Sequence, residues 1–207
     1  MSSVALVERF IVLCFWLSPY RWVDALLEAG EAARQRGGRD TAGLRAARYA
    51  LSELYIVAWL VLGVGLWLAQ ASLPAWLIWP ALLRVFGMLD KELGVILFGR
   101  CKITAGRQVA ATGRTIVLAL ENYVAAAFLM AFVHTKAGRF GEAATGLAPG
   151  DALIQSLSIQ FSLTPAFTPA DGIGWALVLY QSGFAFLFSL IVISLFVSLL
   201  EFGASRH

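Results

Sequence analysis

The sequence is poor in charged side chains and in the residues that build metal and catalytic centres. Only 14% of its 207 residues are Asp, Glu, Lys or Arg, against about 25% in an ordinary soluble domain, and 59% are hydrophobic. Two cysteines outside any CxxC motif cannot form a disulfide framework and do not suggest a metal site. The only two histidines argue against a histidine-based catalytic centre. These shortages predict an integral membrane protein without a cofactor or a nucleic-acid partner, and not an enzyme.

Long apolar runs predict four membrane crossings. Residues 175–200 carry no formal charge, and about 20 apolar residues suffice to cross a bilayer core. The other three runs lie at 54–71, 75–97 and 115–134. The seven tryptophans and five tyrosines suit the two membrane–water interfaces. The fold class predicted from these runs is an all-α integral membrane protein with about four transmembrane helices.

Residues 1–50 are predicted to form interfacial and cytoplasmic amphipathic helices. The apolar run at 4–18 is short for a crossing, which favours a helix lying in the interface over one that spans the membrane. An amphipathic pattern over 22–36 ends at Gly37-Gly38.

The distribution of arginine and lysine predicts the topology. Basic stretches at 34–48 and 100–114 are expected to form loops on one side of the membrane, which the positive-inside rule makes the cytoplasmic side. Residues 134–173 then face the other side, and the C-terminus returns to the cytoplasm. The expected location is the inner membrane of a bacterium.

A short polar helix precedes the last crossing. Residues 151–160 are too few to span the membrane, and Pro149-Gly150-Asp151 is a favourable helix opening with Asp151 as its cap. The two prolines that follow are expected to end this helix. A short helix, an irregular segment and a long inner helix form the plan of a pore loop.

Three motifs resemble the bacterial two-helix potassium-channel-type pore modules. The motifs are Arg114–Tyr123 for the outer helix, Asp151-Ala152-Leu153 with Ser156 for the pore helix, and Thr168-Pro169 with Gly174 at the start of the inner helix. The resemblance covers about 114–200. It implies that 100–207 is the pore module and that four identical subunits surround a pathway for monovalent cations within the lipid bilayer. It does not cover 51–99, which the apolar runs at 54–71 and 75–97 predict to be a preceding transmembrane pair.

The filter segment departs from that family. The family's filter reads TVGYG, whereas this chain has no glycine between Gln160 and Pro169. Glycine tolerates the backbone torsions that stack carbonyls around an ion, and most other residues do not. The filter-like loop consists of Ser162, Leu163, Thr164, Pro165 and Ala166. A pore with altered selectivity, a non-conducting relative and a constriction that conducts only when opened all remain open.

The inner helix offers candidates for gating. Gly183 is either a hinge or a site of close helix packing. Phe188, Val192 and Phe196 share one helical face and are candidates for a hydrophobic constriction. The absence of Lys and Arg between Asp151 and Trp175, with the negative end of the short helix facing inward, favours cations over anions.

The sequence therefore predicts a subunit of a tetrameric, potassium-channel-like cation channel with altered selectivity. Two other classes fit the same residues: a non-conducting pore-fold relative that acts as a membrane interaction protein, and a small transporter, in which discontinuous helices are common.

Overall fold

The computed structural model describes the backbone of residues 3–16, 18–38, 40–98, 108–142 and 144–204. The side chains at 3, 4, 8, 15, 91–98, 108–113, 115 and 195–204 lie outside the described part. The described α-helices are α1 (Ser3–Phe15), α2 (Pro19–Arg36), α3 (Ala42–Leu68), α4 (Ile78–Phe98), α5 (Gln108–Lys136), α6 (Pro149–Gln160) and α7 (Gly172–Ala204). Two single 3₁₀ turns, Gln70–Ser72 and Ala75–Leu77, connect α3 to α4.

Three of these helices are long and apolar enough to cross a membrane: Ala42–Leu68, Ile116–Lys136 and Gly172–Ser194. The described chain is therefore all-helical with three helices suited to a bilayer. The predicted crossing at 75–97 corresponds to helix α4, but the count of four crossings stays a prediction. Helices α1 and α2 meet at an angle of 94°, and their placement at the interface also stays a prediction.

Helix α5 is the centre of the bundle and packs against α3, α4, α6 and α7. Its alanines allow neighbouring backbones to come close. At Gly63 on α3, an added Cβ would lie 3.4 Å from the carbonyl oxygen of Ala125. This small-on-small contact is typical of helix pairs in membranes, where van der Waals packing drives association. The remaining core comes from α4 and α7, with Val85, Met88 and Phe188 fully or almost fully buried.

The two basic stretches are not loops throughout, which corrects the prediction. Helix α3 begins at Ala42, so Arg45 and Arg48 are helical. Arg48 Nε lies 2.8 Å from Asp24 Oδ1 and Arg45 Nε lies 2.6 Å from Glu31 Oε1. Acids spaced two turns apart on α2 thus face the arginines of α3, and the two helices form an antiparallel hairpin. Helix α5 begins at Gln108 and includes the end of the predicted loop 100–114, while 99–107 lie outside the described residues.

Polar contacts at both ends of the bundle fix the positions of the helices along its axis. At one end, Arg114 on α5 donates to the carbonyl oxygen of Tyr49 on α3 at 2.8 Å. At the other end, Trp67 Nε1 donates to the carbonyl oxygen of Pro149 at 2.8 Å, and Lys136 Nζ donates to that of Leu73 at 2.8 Å. The start of α6 therefore lies level with the end of α3, which is the end opposite to the arginine-rich hairpin.

Candidate functional site

The short helix α6 begins and ends differently from the prediction. Its N-cap is Ala148, with Pro149 in the first turn, and Asp151 lies within that first turn instead of capping it. Proline suits this place because the first helical N–H has no intrahelical partner. The helix ends at Gln160, well before Pro165. A backbone cap, and not proline, therefore terminates it.

That cap is a Schellman motif with a serine in the glycine position. The N–H of Leu163 donates to the carbonyl oxygen of Ser158 at 2.8 Å, and the N–H of Ser162 donates to that of Ile159 at 3.0 Å. Ser162 has φ 56°, the left-handed region that costs a non-glycine residue about 1–2 kcal/mol. The first residue of the filter-like loop thus carries backbone strain.

Replacing Ser162 with glycine is expected to stabilise the protein by about 0.5–1 kcal/mol, because glycine adopts positive φ without a Cβ clash. The matched control is Ser158→Gly, which places glycine inside the helix and should destabilise it by about 0.5 kcal/mol. Denaturant titration in mixed detergent micelles would measure both changes. Two changes of the same sign would contradict the role assigned to the torsion at Ser162.

A buried hydrogen-bond network joins α6 to α5 and α7, with Gln181 at its centre. Gln181 Nε2 donates to Ser156 Oγ at 2.8 Å and to Gln160 Oε1 at 3.1 Å, while Gln181 Oε1 lies 2.9 Å from His134 Nε2. Gln160 Nε2 in turn donates to the carbonyl oxygen of Tyr123, whose hydroxyl donates to that of Gln160. His134, Ser156 and Gln181 are fully buried.

The hydrogen-bond acceptors at the far ends of the network determine which ring nitrogen of His134 carries a proton. The main-chain carbonyls of Ala127 and Tyr123 can only accept, so Ser156 and Gln160 must donate to them. Gln181 must then donate to Gln160 and present its oxygen to His134. The ring of His134 therefore carries its proton on Nε2, an assignment that follows from the network. Its buried Nδ1 has no hydrogen-bond partner in the described part of the chain.

The segment after α6 returns towards the end of the bundle where α6 begins. Gln155 holds it by a reciprocal pair of hydrogen bonds, since its Oε1 accepts from the N–H of Phe167 at 2.7 Å and its Nε2 donates to the carbonyl oxygen at 3.0 Å. Beyond Phe167, the carbonyl oxygen of Thr168 accepts from Gly141 at 2.9 Å and the N–H of Ala170 donates to Arg139 at 2.8 Å. The loop between α5 and α6 therefore holds the returning segment by main-chain hydrogen bonds.

Asp171 caps the start of α7 and joins it to the same loop. Its Oδ1 accepts from the N–H of Gly174 at 2.7 Å and from that of Arg139 at 3.2 Å. The hydrogen bond from Gly174, with a smaller effect from Arg139, holds the pKa of this half-buried carboxyl below its usual value of 3.8. At Gly138, which has φ 82°, an added Cβ would lie 3.0 Å from the Cα of Gly174, so both residues must be small.

Stability should depend on pH through Asp171. Folding lowers the pKa of Asp171, so its stabilising effect is fully present at a pH above the pKa of the unfolded state. The effect is lost as the pH falls below about 4 and passes through the pKa of the folded state. The thermal midpoint of the native protein should exceed that of Asp171→Asn at pH 7, and the gap should close below about pH 4. Asparagine keeps the cap but cannot titrate. A gap that stays constant down to pH 3 would show that the charge of Asp171 is not involved.

An open groove of ≈ 360 Å³ lies where α6 ends between α5 and α7. It brings together residues that the sequence predicted separately, since Ser162 of the filter-like loop lines it with Phe188 and Val192 of the candidate constriction. Phe188 lies about 24 Å along α7 from Gly172, at 1.5 Å of rise per residue. The end of α6 is thus deep within the bundle. The other lining residues are Leu120, Tyr123, Gln160, Phe161, Ser189 and Ile193.

The filter-like loop is open to the surroundings of the single chain. Ser162, Leu163, Thr164 and Ala166 are exposed and Pro165 is half-buried. No hydrogen bond among the described contacts reaches the carbonyl oxygen of any of these five residues. The main-chain carbonyls of the predicted loop therefore have no hydrogen-bond partner among the described contacts.

The candidate gating residues lie on α7. Phe188 is fully buried within the subunit, its ring lies 5.3 Å from those of Tyr123 and Phe184, and it lines the groove. Its role in a hydrophobic constriction stays a prediction. Val192 is half-buried on the same face, and the side chain of Phe196 lies outside the described residues. At Gly183 an added Cβ would meet nothing within 4 Å, so packing within the subunit does not require this glycine, and the hinge stays a prediction.

Sequence reasoning missed the polar residues that support the loop. Gln155, Ser156 and Gln160 lie close together on α6, and Gln181 lies inside an uncharged run on α7. Gln181 was the residue that could have indicated this network from the sequence, because a polar side chain inside a membrane segment usually faces a partner helix. The identity of its partners needed the arrangement of three helices.

The fold and the site define a helical membrane protein with a short, polar helix and an open return segment held between two long helices. Neither a family model, a curated protein nor a solved structure matches the chain. The resemblance of 114–200 to pore modules therefore stays a prediction from the residues.

Proposed function

We propose that the chain is one subunit of a tetrameric pore-loop cation channel, in which α6 is the pore helix and Ser162–Ala166 line the pathway. The observation that carries this proposal is that the main-chain carbonyls of that loop have no hydrogen-bond partner among the described contacts. Inside a membrane, such a backbone is tolerated only where it is covered by protein or lines a water-filled cavity. Rings of carbonyl oxygens are also how cation filters replace the hydration shell of an ion.

The path of the chain supports a re-entrant loop. Helix α6 is about 18 Å long at 1.5 Å per residue, which is too short for a bilayer core of about 30 Å. It starts level with Trp67 at the end of α3 and finishes beside Phe188 and Val192 on α7. From Ser162 the chain reaches Thr168, which is bonded to Gly141 in the loop after α5. Both ends of the segment therefore lie towards the end of the bundle where α3 finishes, as a re-entrant loop requires.

The charge distribution supports cations. The C-terminal end of α6 carries the negative end of its dipole towards the loop, and no Lys or Arg lies between Asp151 and Trp175. Anion pores more often present rings of basic residues.

The exposure of the loop supports an oligomer. Phe161 and Leu163 expose more than half of their surface beside the loop, and inside a membrane an irregular backbone needs cover from protein or a water-filled cavity. One loop cannot enclose a pathway, so several copies must surround an axis, and the resemblance to pore modules gives four. In this arrangement α4 is the fourth crossing, and the arginine-rich hairpin and the C-terminus face the cytoplasm.

Cation flux from liposomes, with potassium, sodium and chloride measured separately, tests the proposal. In a background of Cys14→Ser and Cys101→Ser, a positively charged thiol reagent should block flux through Thr164→Cys. The matched control is Thr145→Cys in the exposed outer loop, which the reagent should leave conducting. Pro165→Gly should change the ranking of ions, because it frees the fixed φ of the loop. Flux that persists in the treated Thr164→Cys protein would place the pathway elsewhere.

A non-conducting interaction protein is the second candidate. The exposed rings and aliphatic chains of Phe161 and Leu163 beside the loop favour it, since apolar side chains facing an axis would exclude water. Absence of flux for all three ions, in the native protein and in Pro165→Gly, from a stable oligomer would support this candidate.

A further inference from the structure

A second cavity, of ≈ 170 Å³, lies between α1, α3 and α4 and is separate from the groove at the loop. Tyr55 and Trp59 on α3 line one wall, Leu83 and Phe86 on α4 line another, and Cys14 on α1 lines the third. At Gly87 an added Cβ would meet nothing within 4 Å, because this glycine faces the open space. The guanidinium of Arg84 is held over the ring of Tyr55 at 4.8 Å.

Most of the lining of this cavity does not suit water, and its polar groups come from Ser18, Tyr55 and Arg84. A water molecule in a protein interior needs two to four polar partners, and a cavity of about 150 Å³ lined by apolar side chains stays dry and takes up small apolar molecules such as benzene. The cavity here is of that size, and aromatic and aliphatic side chains form most of its lining. An apolar occupant is therefore the best fit.

The surroundings indicate where the occupant comes from. The cavity opens between helices whose outer surfaces are apolar, with Leu13 67% exposed on α1 and Trp79 68% exposed on α4. Trp16 and Trp22 are also exposed at the corner where α1 meets α2, and the guanidinium of Arg21 lies 4.9 Å from the ring of Trp16. Exposed tryptophans beside a cation are typical of the membrane–water interface.

We propose that this cavity is a lipid site that holds part of the acyl chain of a phospholipid beneath α1. The chain would lie between Cys14 and Trp59, and the headgroup would lie near Ser18 at the corner between α1 and α2. Such a lipid would fix the N-terminal helix to α3 and α4. The site does not depend on ion conduction, so a negative result for the pore would not exclude the lipid site.

Photocrosslinking tests this site in the full-length protein, reconstituted in phosphatidylcholine vesicles with a diazirine on the acyl chain. Mass spectrometry should locate adducts on Cys14, Tyr55 or Trp59, as well as on the exposed Leu179 of α7. Gly87→Leu fills the cavity and should remove most of the adducts on the cavity residues while leaving those on Leu179. Leu83→Trp is the second filling variant, in case the first does not fold.

The matched control is Gly65→Leu, since Gly65 is also open to its surroundings, but on the exposed face of α3. It should leave the whole adduct pattern unchanged. Adducts confined to exposed residues such as Leu179 in the native protein would overturn the proposal. So would adducts on Cys14 and Trp59 that survive both filling variants.

Discussion

Replacing Gln181 with leucine is expected to destabilise the protein by about 2–3 kcal/mol. The change leaves the Nε2–H of His134 without an acceptor and Gln160 Oε1 without a donor at a fully buried position. Each buried polar group that loses its partner costs about 1–3 kcal/mol, although hydrogen bonds between membrane helices average only about 0.6 kcal/mol. Denaturant titration of the purified protein in mixed micelles measures the change.

The matched control for Gln181 is the same substitution at Gln35, which is exposed on α2. Gln35→Leu should alter stability by no more than about 0.5 kcal/mol, as is usual for surface changes. Equal stabilities of Gln181→Leu and the native protein would show that the network does not stabilise the protein. The double variant Gln181→Leu with His134→Phe should lose less than the sum of the two single losses, because both remove the same hydrogen bond.

Replacing Gln155 with leucine is expected to abolish cation flux and to cost about 1–3 kcal/mol of stability. Gln155 is fully buried, and it alone among the described side chains bonds both the N–H and the carbonyl oxygen of Phe167. Without it, the loop that precedes Phe167 loses its fixed position relative to α6. Flux of potassium from liposomes, normalised to the amount of folded oligomer, separates the loss of conduction from the loss of protein.

A graded series sharpens the result at Gln155. Gln155→Glu keeps the acceptor for the N–H of Phe167 and loses the donor for its carbonyl, so its flux should fall between those of the native protein and Gln155→Leu. The same change to leucine at Gln35 should leave flux unchanged. Native flux in a folded Gln155→Leu oligomer would mean that the position of this loop does not control conduction.

The helices themselves were largely predictable from the sequence. The apolar runs at 115–134 and 175–200 became α5 and α7, and Gly37-Gly38 ends α2 as predicted. The errors arose at helix ends and in short connections. The arginines at 45 and 48 were expected in a loop, but their partners on α2 make them part of a helix. An ion pair between two helices is a tertiary contact, and hydropathy along one segment does not report it.

The candidate site likewise combines features that the sequence predicts with contacts that only the fold decides. The sequence by itself determined the membrane class, the short helix before an irregular segment, and the location of that segment at 161–173, of which Gly172 and Ile173 belong to α7 in the structure. These features follow from local properties: the length of an apolar run, the number of charges, and the conformations that proline allows. The positions of these elements along the chain needed no knowledge of their neighbours.

The tertiary structure alone decided what holds the irregular segment in place. The bond from Gln155 to Phe167, the centre of the network at Gln181, and the burial of Phe188 depend on how α5, α6 and α7 pack together. Phe188 and Val192 do share a helical face, as their spacing predicts, but that face turns towards α5 and the end of α6. Helical periodicity determines which residues lie together on a face, whereas the packing of other helices determines what that face meets.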